Sequence, residues 1–166
     1  MKILSFLIAA TAALAAYANL PAEQAPLSAK SSGPLGQGKR LKGEDANADG
    51  VRDDVEGIIA KRYPNHEQRA AAMQYARSHQ AVFDLPVGDK VAANRVKVLA
   101  AHAMACLLSR FDGVAAGSNP LVVAKSIESM TFNSKARRQA YAQYNKAWLG
   151  TDWSSDDRAV CDSERG

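Results

Sequence analysis

Most of the chain repeats apolar and polar residues with the period of an α-helix. Between residues 53 and 149, apolar side chains recur three or four positions apart, and Pro, Gly or polar residues interrupt the pattern at four places. This spacing puts the apolar side chains on one face of a helix. Alternation of β-branched residues, which is typical of strands, is absent. The pattern predicts an all-α fold of about five helices in one small domain.

Local start and stop signals give approximate limits for these helices. Polar residues that cap helix N-termini stand before four of the periodic segments, and Pro120 occupies the first helical position of one of them. Pro64 and Gly150 are expected to end two others. The predicted helices cover about residues 53–63, 65–83, 89–111, 119–130 and 135–149. The expected N-caps are Asn65, Asp89, Asn119 and Ser134.

Apolar stripes identify the expected core. On the longest helix the stripe consists of Val91, Val98, Leu99, Ala103, Cys106 and Leu107. Four aromatic residues lie close together late in the chain, namely Tyr141, Tyr144, Trp148 and Trp153. We interpret them as a core patch that covers the last helix, in preference to a surface on which a ligand stacks.

The first 44 residues differ in pattern from the rest. Met1 and Lys2 give a positive start, residues 3–15 are almost all apolar, and Ala16-Tyr17-Ala18 follows. These features are typical of a secretory signal peptide, so we expect residues 1–18 to be removed and the protein to be periplasmic or secreted. The apolar run is too short to span a bilayer, and no other segment approaches 18 apolar residues, so no membrane span is expected. Residues 19–44, rich in Pro, Ala, Ser, Gly and Lys, are expected to form a flexible linker or an arm that lies on the surface.

One short motif between the arm and the first helix carries chemistry. Residues 45–56 read DANADGVRDDVE, which fits the pattern D-x-[DN]-x-[DN]-G-x5-E at every specified position. Calcium prefers six to eight oxygen ligands, and alternate side chains of a tight loop can supply them. Gly50 allows the sharp reversal that such a loop needs. The predicted ligands are Asp45, Asn47, Asp49, the carbonyl of Val51, Asp53 (directly or through a water) and Glu56.

This segment resembles the calcium-binding loop of EF-hand proteins over 12 residues. Its surroundings differ from those of a paired EF-hand. Arg52 occupies the position where paired hands carry an aliphatic residue, and residues 152–163 lack the glycine and final Glu of a second loop. The segment is more similar to the single loops of dockerins, thrombospondin type 3 repeats and small secreted proteins of Gram-negative bacteria. The resemblance implies Ca²⁺ as cofactor, in a structural more than a regulatory role, because an unpaired loop lacks the partner of a switch.

A plainer interpretation of the same residues remains open. Acidic turns that contain Asn and Gly are common, and Asp53 and Asp54 could simply interact with the dipole of the helix that they begin. We favour calcium binding because every specified position of the motif is matched.

The two cysteines, Cys106 and Cys161, are expected to form a disulfide, since export implies an oxidising compartment. This bond would tether the tail, residues 151–166, to the domain formed by residues 45–150. His102 lies four residues before Cys106, but a nucleophile or metal pair would need further groups. We expect His102 at a helix surface or core edge, and we expect His66 and His79 to be exposed.

Charge adds little to the functional prediction. The chain has a formal net charge of +4, with 21 Lys and Arg against 17 Asp and Glu. The basic residues are scattered, and we interpret them as solvated helix faces, which argues against nucleic-acid binding. No catalytic motif is present, so an enzyme is not expected. The sequence favours an exported calcium-binding helical protein that acts as a protein-binding module. The alternatives are a periplasmic inhibitor or immunity protein that neutralises a partner enzyme, and a calcium-dependent hydrolase.

Overall fold

The computed structural model describes residues 40–111, 113, 117–149 and 161–162. The predicted signal peptide, the arm up to residue 39, Trp153 and most of the tail lie outside the described residues. Within them, all regular structure is helical, which confirms the all-α prediction. The five α-helices are α1 (Asp53–Arg62), α2 (His66–Gln80), α3 (Lys90–Arg110), α4 (Pro120–Thr131) and α5 (Lys135–Trp148), and a 3-10 helix covers Ala81–Asp84.

The four predicted N-caps are confirmed. Each side chain accepts a hydrogen bond from a backbone N–H of the first turn that has no carbonyl partner within the helix. The acceptors are Asn65 (α2), Asp89 (α3), Asn119 (α4) and Ser134 (α5). The second helix was expected to continue to about residue 83. Its α-helical part ends at Gln80, and the 3-10 helix completes the segment.

Helix α2 lies at the centre of the packing and contacts α1, α3 and α4. Two buried clusters result. The larger is formed by α1 to α4 and contains among its fully buried side chains Val55, Ile59, Ala72, Ala103, Leu107 and Ile127. The smaller joins the 3-10 helix, α3 and α5 through Val82, Phe83, Ala93, Val96, Phe132 and Tyr144, with Tyr141 and Trp148 packed against it. The late aromatic residues thus cover the last helix, as predicted for those that the structure describes.

Helix α3 departs from the prediction at three positions. Val91 is 64% exposed and Leu99 46% exposed, so neither belongs to the core. Val91 precedes the buried Ala93 by two residues, which puts it about 200° away around the helix. Lys97, expected on a solvated face, is only 8% exposed, and its Nζ lies 5.4 Å from the centre of the Trp148 ring. The aliphatic stem of lysine allows this burial beside an aromatic ring.

Helix α3 is also the one described helix whose length and mean hydropathy, 1.3 over its most apolar window, would suffice to cross a membrane. The prediction from the sequence depends on unbroken runs of apolar residues, and α3 contains no such run of sufficient length. Core helices share it, and α3 packs against α2, α4 and α5.

The predicted disulfide between Cys106 and Cys161 is present. The two Cα atoms are 5.1 Å apart, within the usual range for a disulfide, and the bond joins the buried face of α3 to a residue 55 positions later. Both half-cystines are buried. The bond fits a protein that matures in an oxidising compartment.

Candidate calcium site

The segment that precedes α1 is a closed loop whose backbone turns around the Asp45 carboxylate. Asp45 Oδ1 accepts a hydrogen bond from Asp49 N (3.1 Å), and Oδ2 accepts one from Gly50 N (3.0 Å). Gly50 has a φ of +86°, a conformation that side chains other than glycine rarely adopt. The sharp reversal predicted at Gly50 is therefore present.

Two further hydrogen bonds close the loop at its base. Ala46 N donates to Asp53 Oδ1 (3.0 Å), and Asp53 N donates to the carbonyl oxygen of Glu44 (2.9 Å). Asp53 is also the first residue of α1. The loop thus begins and ends at adjacent points, and the first turn of α1 belongs to it.

The side chains of Asn47, Asp49 and Glu56 meet inside the loop. Asn47 Nδ2 donates to Asp49 Oδ2 (3.3 Å) and to both oxygens of Glu56 (3.2 and 3.4 Å). Asn47 Oδ1 accepts a hydrogen bond from Asp49 N (3.1 Å). The amide NH₂ group of Asn47, which carries partial positive charge, therefore lies between the carboxylate oxygens of Asp49 and Glu56.

Val51 connects the loop to the hydrophobic core. Its side chain is 1% exposed and belongs to the larger cluster, and its N–H donates to Asp49 Oδ1 (2.8 Å). Within the described part of the chain, the Val51 carbonyl oxygen accepts no hydrogen bond. It is thus available to a ligand, as the motif requires.

The four carboxylates among the predicted ligands form no ion pair with the described basic residues. Arg52 pairs with Asp54 instead, and Arg77 donates from Nε to the backbone carbonyl of Asp49 (2.7 Å), not to its carboxylate. The predicted ligands Asp45, Asp49, Asp53 and Glu56 thus bring four carboxylates to one short segment without a paired cation among the residues described.

Counting only His, Cys, Asp and Glu side chains, the residues that the structure describes contain no group of three or more that could hold a metal ion. The predicted ligand set contains four such residues, Asp45, Asp49, Asp53 and Glu56, so their carboxylates do not meet at one point in this structure. The Asn47 amide and the Val51 carbonyl would complete the set. Its members are all oxygen donors, which is the donor class that calcium prefers. The arrangement inside the loop is organised around Asn47, and a cation site there requires that the amide turn its oxygen inward.

The end of the predicted arm lies against the helical domain. Residues 40–42 are helical, although the sequence offered no apolar stripe before the loop. The carbonyl of Leu41 accepts from Arg137 Nε (2.7 Å), and that of Lys42 accepts from Gln80 Nε2 (2.6 Å). Lys42 also pairs with Asp84 (2.6 Å). The loop is therefore held on both of its sides.

Arg52 anchors the loop to α4, and sequence reasoning did not identify these contacts. It is 4% exposed, and its guanidinium contacts the Asp54 carboxylate and the last carbonyls of α4, donating to Met130 O (3.0 Å) and Thr131 O (3.5 Å). The hydrogen bond from Arg52 lowers the pKa of Asp54. A Cβ at Gly43 would meet the Arg52 stem at 2.3 Å, so the loop passes directly over this side chain.

His79 is buried, and the prediction that it is exposed was wrong. It is 6% exposed; Nδ1 lies 3.0 Å from the carbonyl of Tyr75, and Nε2 lies 3.7 Å from Glu128 Oε1. Tyr75 donates to the same Glu128 oxygen (2.6 Å), and the Tyr141 ring is tilted by 47° against that of His79, with the ring centres 6.3 Å apart. Position on a polar helix suggested exposure, but α4 and α5 cover this side of α2. His66, by contrast, is exposed as predicted.

Burial lowers the pKa of His79, against the opposing influence of Glu128. The unfolded chain, with a histidine pKa near 6.5, therefore takes up a proton before the folded chain does. Stability should fall as the pH decreases below about 6.5, by at most about 1.4 kcal/mol per pH unit. Chemical denaturation at pH 7.5 and 5.5 measures this fall. His79→Asn should flatten it and His66→Asn on the same helix should not; equal slopes in both variants would contradict the assignment.

Cys106 cannot act with His102 as a nucleophile or metal ligand, because its sulfur is bonded to Cys161. His102 is half-buried, as expected for a core edge, and its Nε2 is buried without a hydrogen-bond partner among the described residues.

Comparison of the chain with protein-family models, with curated proteins and with solved structures finds no match.

Proposed function

We propose that the protein is an exported, non-catalytic helical protein that binds one calcium ion in the loop of residues 45–56. The observation that carries the proposal is the contact of the Asn47 amide with the carboxylates of Asp49 and Glu56 in a closed loop, where neither carboxylate has a paired cation among the described residues. Like charges held this close repel each other, and a divalent cation would offset that repulsion.

The ligand set needs a rearrangement of several side chains, because the carboxylates of Asp45, Asp49, Asp53 and Glu56 do not meet at one point. Rotation of the Asn47 amide by half a turn would replace Nδ2 by Oδ1 among the oxygens of Asp49 and Glu56. Asp45 and Asp49 can serve both the backbone and an ion, because a carboxylate offers about four lone-pair sites. Val51 would add its carbonyl, and Asp53 a carboxylate oxygen.

Calcium in this loop would be structural. Val51 is part of the core, and Arg52 joins the loop to the end of α4, so the loop cannot be formed without the domain around it. An ion that binds only the folded loop stabilises the whole domain by mass action. A sensor would need a helix pair that opens, and the sequence has one loop.

Thermal unfolding in calcium and in chelator tests this proposal. Sites in extracellular modules have dissociation constants of about 10⁻⁴–10⁻³ M, so 10 mM calcium should add roughly 1.4–2.7 kcal/mol of stability. The melting temperature should rise by roughly 5–10 °C. Asp45→Ala combined with Glu56→Ala should abolish the rise. Asp54→Ala is the matched control, because Asp54 lies in the same turn but contacts Arg52; an unchanged response in the double variant would refute the site.

The second part of the proposal is that the protein acts by binding another protein. Its support is an exposed stripe on α3, where Val91 and Leu99 flank the exposed Arg95 at intervals of four residues. Cross-linking from a benzoylphenylalanine placed at position 95 in the producing cell should capture one protein at a defined mass. The same probe at the exposed Val87 should not; equal labelling from both positions would count against a specific interface.

A further inference from the structure

Two residues late in the chain, Cys161 and Asp162, are connected to the candidate calcium loop through Arg77. Cys161 is bonded to Cys106 on α3, and the next residue, Asp162, is held on α2. Its backbone N–H donates to Gln74 Oε1 (2.9 Å), and its carboxylate pairs with Arg77 Nη1 (3.0 Å). The disulfide therefore determines where Asp162 lies.

Arg77 connects this segment to the loop. Its Nε donates to the carbonyl of Asp49 (2.7 Å), while Nη1 contacts Asp162 Oδ2. The stem of Arg77 also lies against the turn, since a Cβ at Gly50 would be 3.1 Å from Arg77 Cγ. The Arg77 guanidinium thus bridges the backbone carbonyl of Asp49 and the carboxylate of Asp162.

We propose that the disulfide, through Asp162 and Arg77, raises the calcium affinity of the loop. This inference rests on the proposed calcium binding. A guanidinium next to a divalent-cation site opposes binding of the ion, and the Asp162 carboxylate offsets that charge. Asp162 also fixes the orientation of Arg77. Through Arg77 it fixes the peptide between Asp49 and Gly50, which separates the Asp49 side chain from the Val51 carbonyl. Arg77 and Asp162 are positioning residues and do not touch the ion.

The coupling has a direction that suits an exported protein. Before the disulfide forms, Asp162 is not held beside Arg77, and the loop binds calcium more weakly. After oxidation, the affinity reaches its full value. By thermodynamic reciprocity, calcium in turn favours the docked position of Asp162. The Arg77–Asp162 pair is 41% and 47% exposed, so the coupling is modest.

Calorimetric titration of calcium into variants of the full chain tests the inference. Asp162→Asn is expected to raise the calcium Kd about threefold to tenfold. The double variant Cys106→Ala, Cys161→Ala should show a similar loss. Glu67→Gln, which removes an exposed pair with Arg110 and lies ten residues before Arg77 on the same helix, is the matched control and should keep the Kd of the unmodified chain.

A double-mutant cycle distinguishes coupling of Asp162 to the calcium site through Arg77 from a general weakening of calcium binding. With Arg77→Gln in place, Asp162→Asn should leave the Kd unchanged, because the coupling acts through Arg77. If Asp162→Asn alone leaves the Kd unchanged while the unmodified protein binds calcium, the inference is overturned and the calcium site stands. If the unmodified, oxidised protein binds no calcium, both the site and the inference are overturned. Asp162→Asn retains the disulfide, so the test does not depend on the fold of the cysteine variant.

Discussion

Replacement of both Cys106 and Cys161 by Ala is expected to lower the unfolding free energy by about 4 kcal/mol. The bond closes a segment of 55 residues, and the loop entropy that it removes from the unfolded chain accounts for a loss of that size. The melting temperature should decrease by roughly 15 °C. This is the largest of the effects that we expect.

Denaturant titration of the oxidised protein and of the variant measures the loss. The matched control is the unmodified protein refolded in reductant, which should unfold at the same denaturant concentration as the variant. Addition of reductant to the Ala variant should change nothing. A variant that melts within about 2 °C of the oxidised protein would contradict a stabilising role for the bond.

The second large effect is expected at Arg52. Arg52→Met keeps much of the volume of this 4% exposed side chain but removes its hydrogen bonds to the carbonyls of Met130 and Thr131. Hydrogen bonds from a charged donor contribute about 1.5–3 kcal/mol, and the ion pair adds little because the Asp54 carboxylate is 60% exposed. We expect a loss of about 2 kcal/mol.

The control for Arg52 is Arg95→Met, because Arg95 is an exposed arginine of α3 without an ion pair to the described residues. Denaturant titration should show that Arg95→Met changes the stability by less than about 0.5 kcal/mol. Arg52→Lys should fall between the two, since it keeps the charge and loses the planar fork. Equal stabilities of the Arg52→Met and Arg95→Met proteins would refute the anchoring role of Arg52.

The helices could be predicted from the sequence because their limits are local. The side chains of Asn65 and Asp89 each accept a hydrogen bond from the backbone N–H three residues later. No distant residue is needed for these caps. The interruption near Leu85 and Pro86 is likewise a property of the backbone itself. The 3-10 turn before it was missed, since it differs from an α-helix only in its hydrogen-bond register.

Burial was harder to predict, because it depends on which helix covers which face. His79 and Lys97 are polar but buried, since α5 supplies aromatic rings to pack against them. Leu99 is apolar but exposed, because no described element covers that side of α3. A single sequence shows that a face is apolar or polar, whereas the packing partner is determined by the tertiary arrangement.

In the candidate site, too, the local features were predicted from the sequence and the distant contacts were not. The motif assigns each of its side chains a position in the loop, and Gly50 adopts the predicted turn. The surrounding anchors come from distant parts of the chain: Arg77 is 28 residues from Asp49, and Met130 is 78 from Arg52. Arg52 was interpreted only as a departure from paired loops. No spacing rule relates these residues, so their roles emerge only when the helices are packed together.

Calorimetric titration of calcium into the unmodified, oxidised protein tests the central proposal most directly. The account predicts one ion per chain with a Kd of about 10⁻⁴–10⁻³ M. It also predicts no binding to the Asp45→Ala, Glu56→Ala variant. Absence of binding to the unmodified protein up to 10 mM calcium, or equal binding to the variant, would contradict the assignment of residues 45–56 as a calcium site.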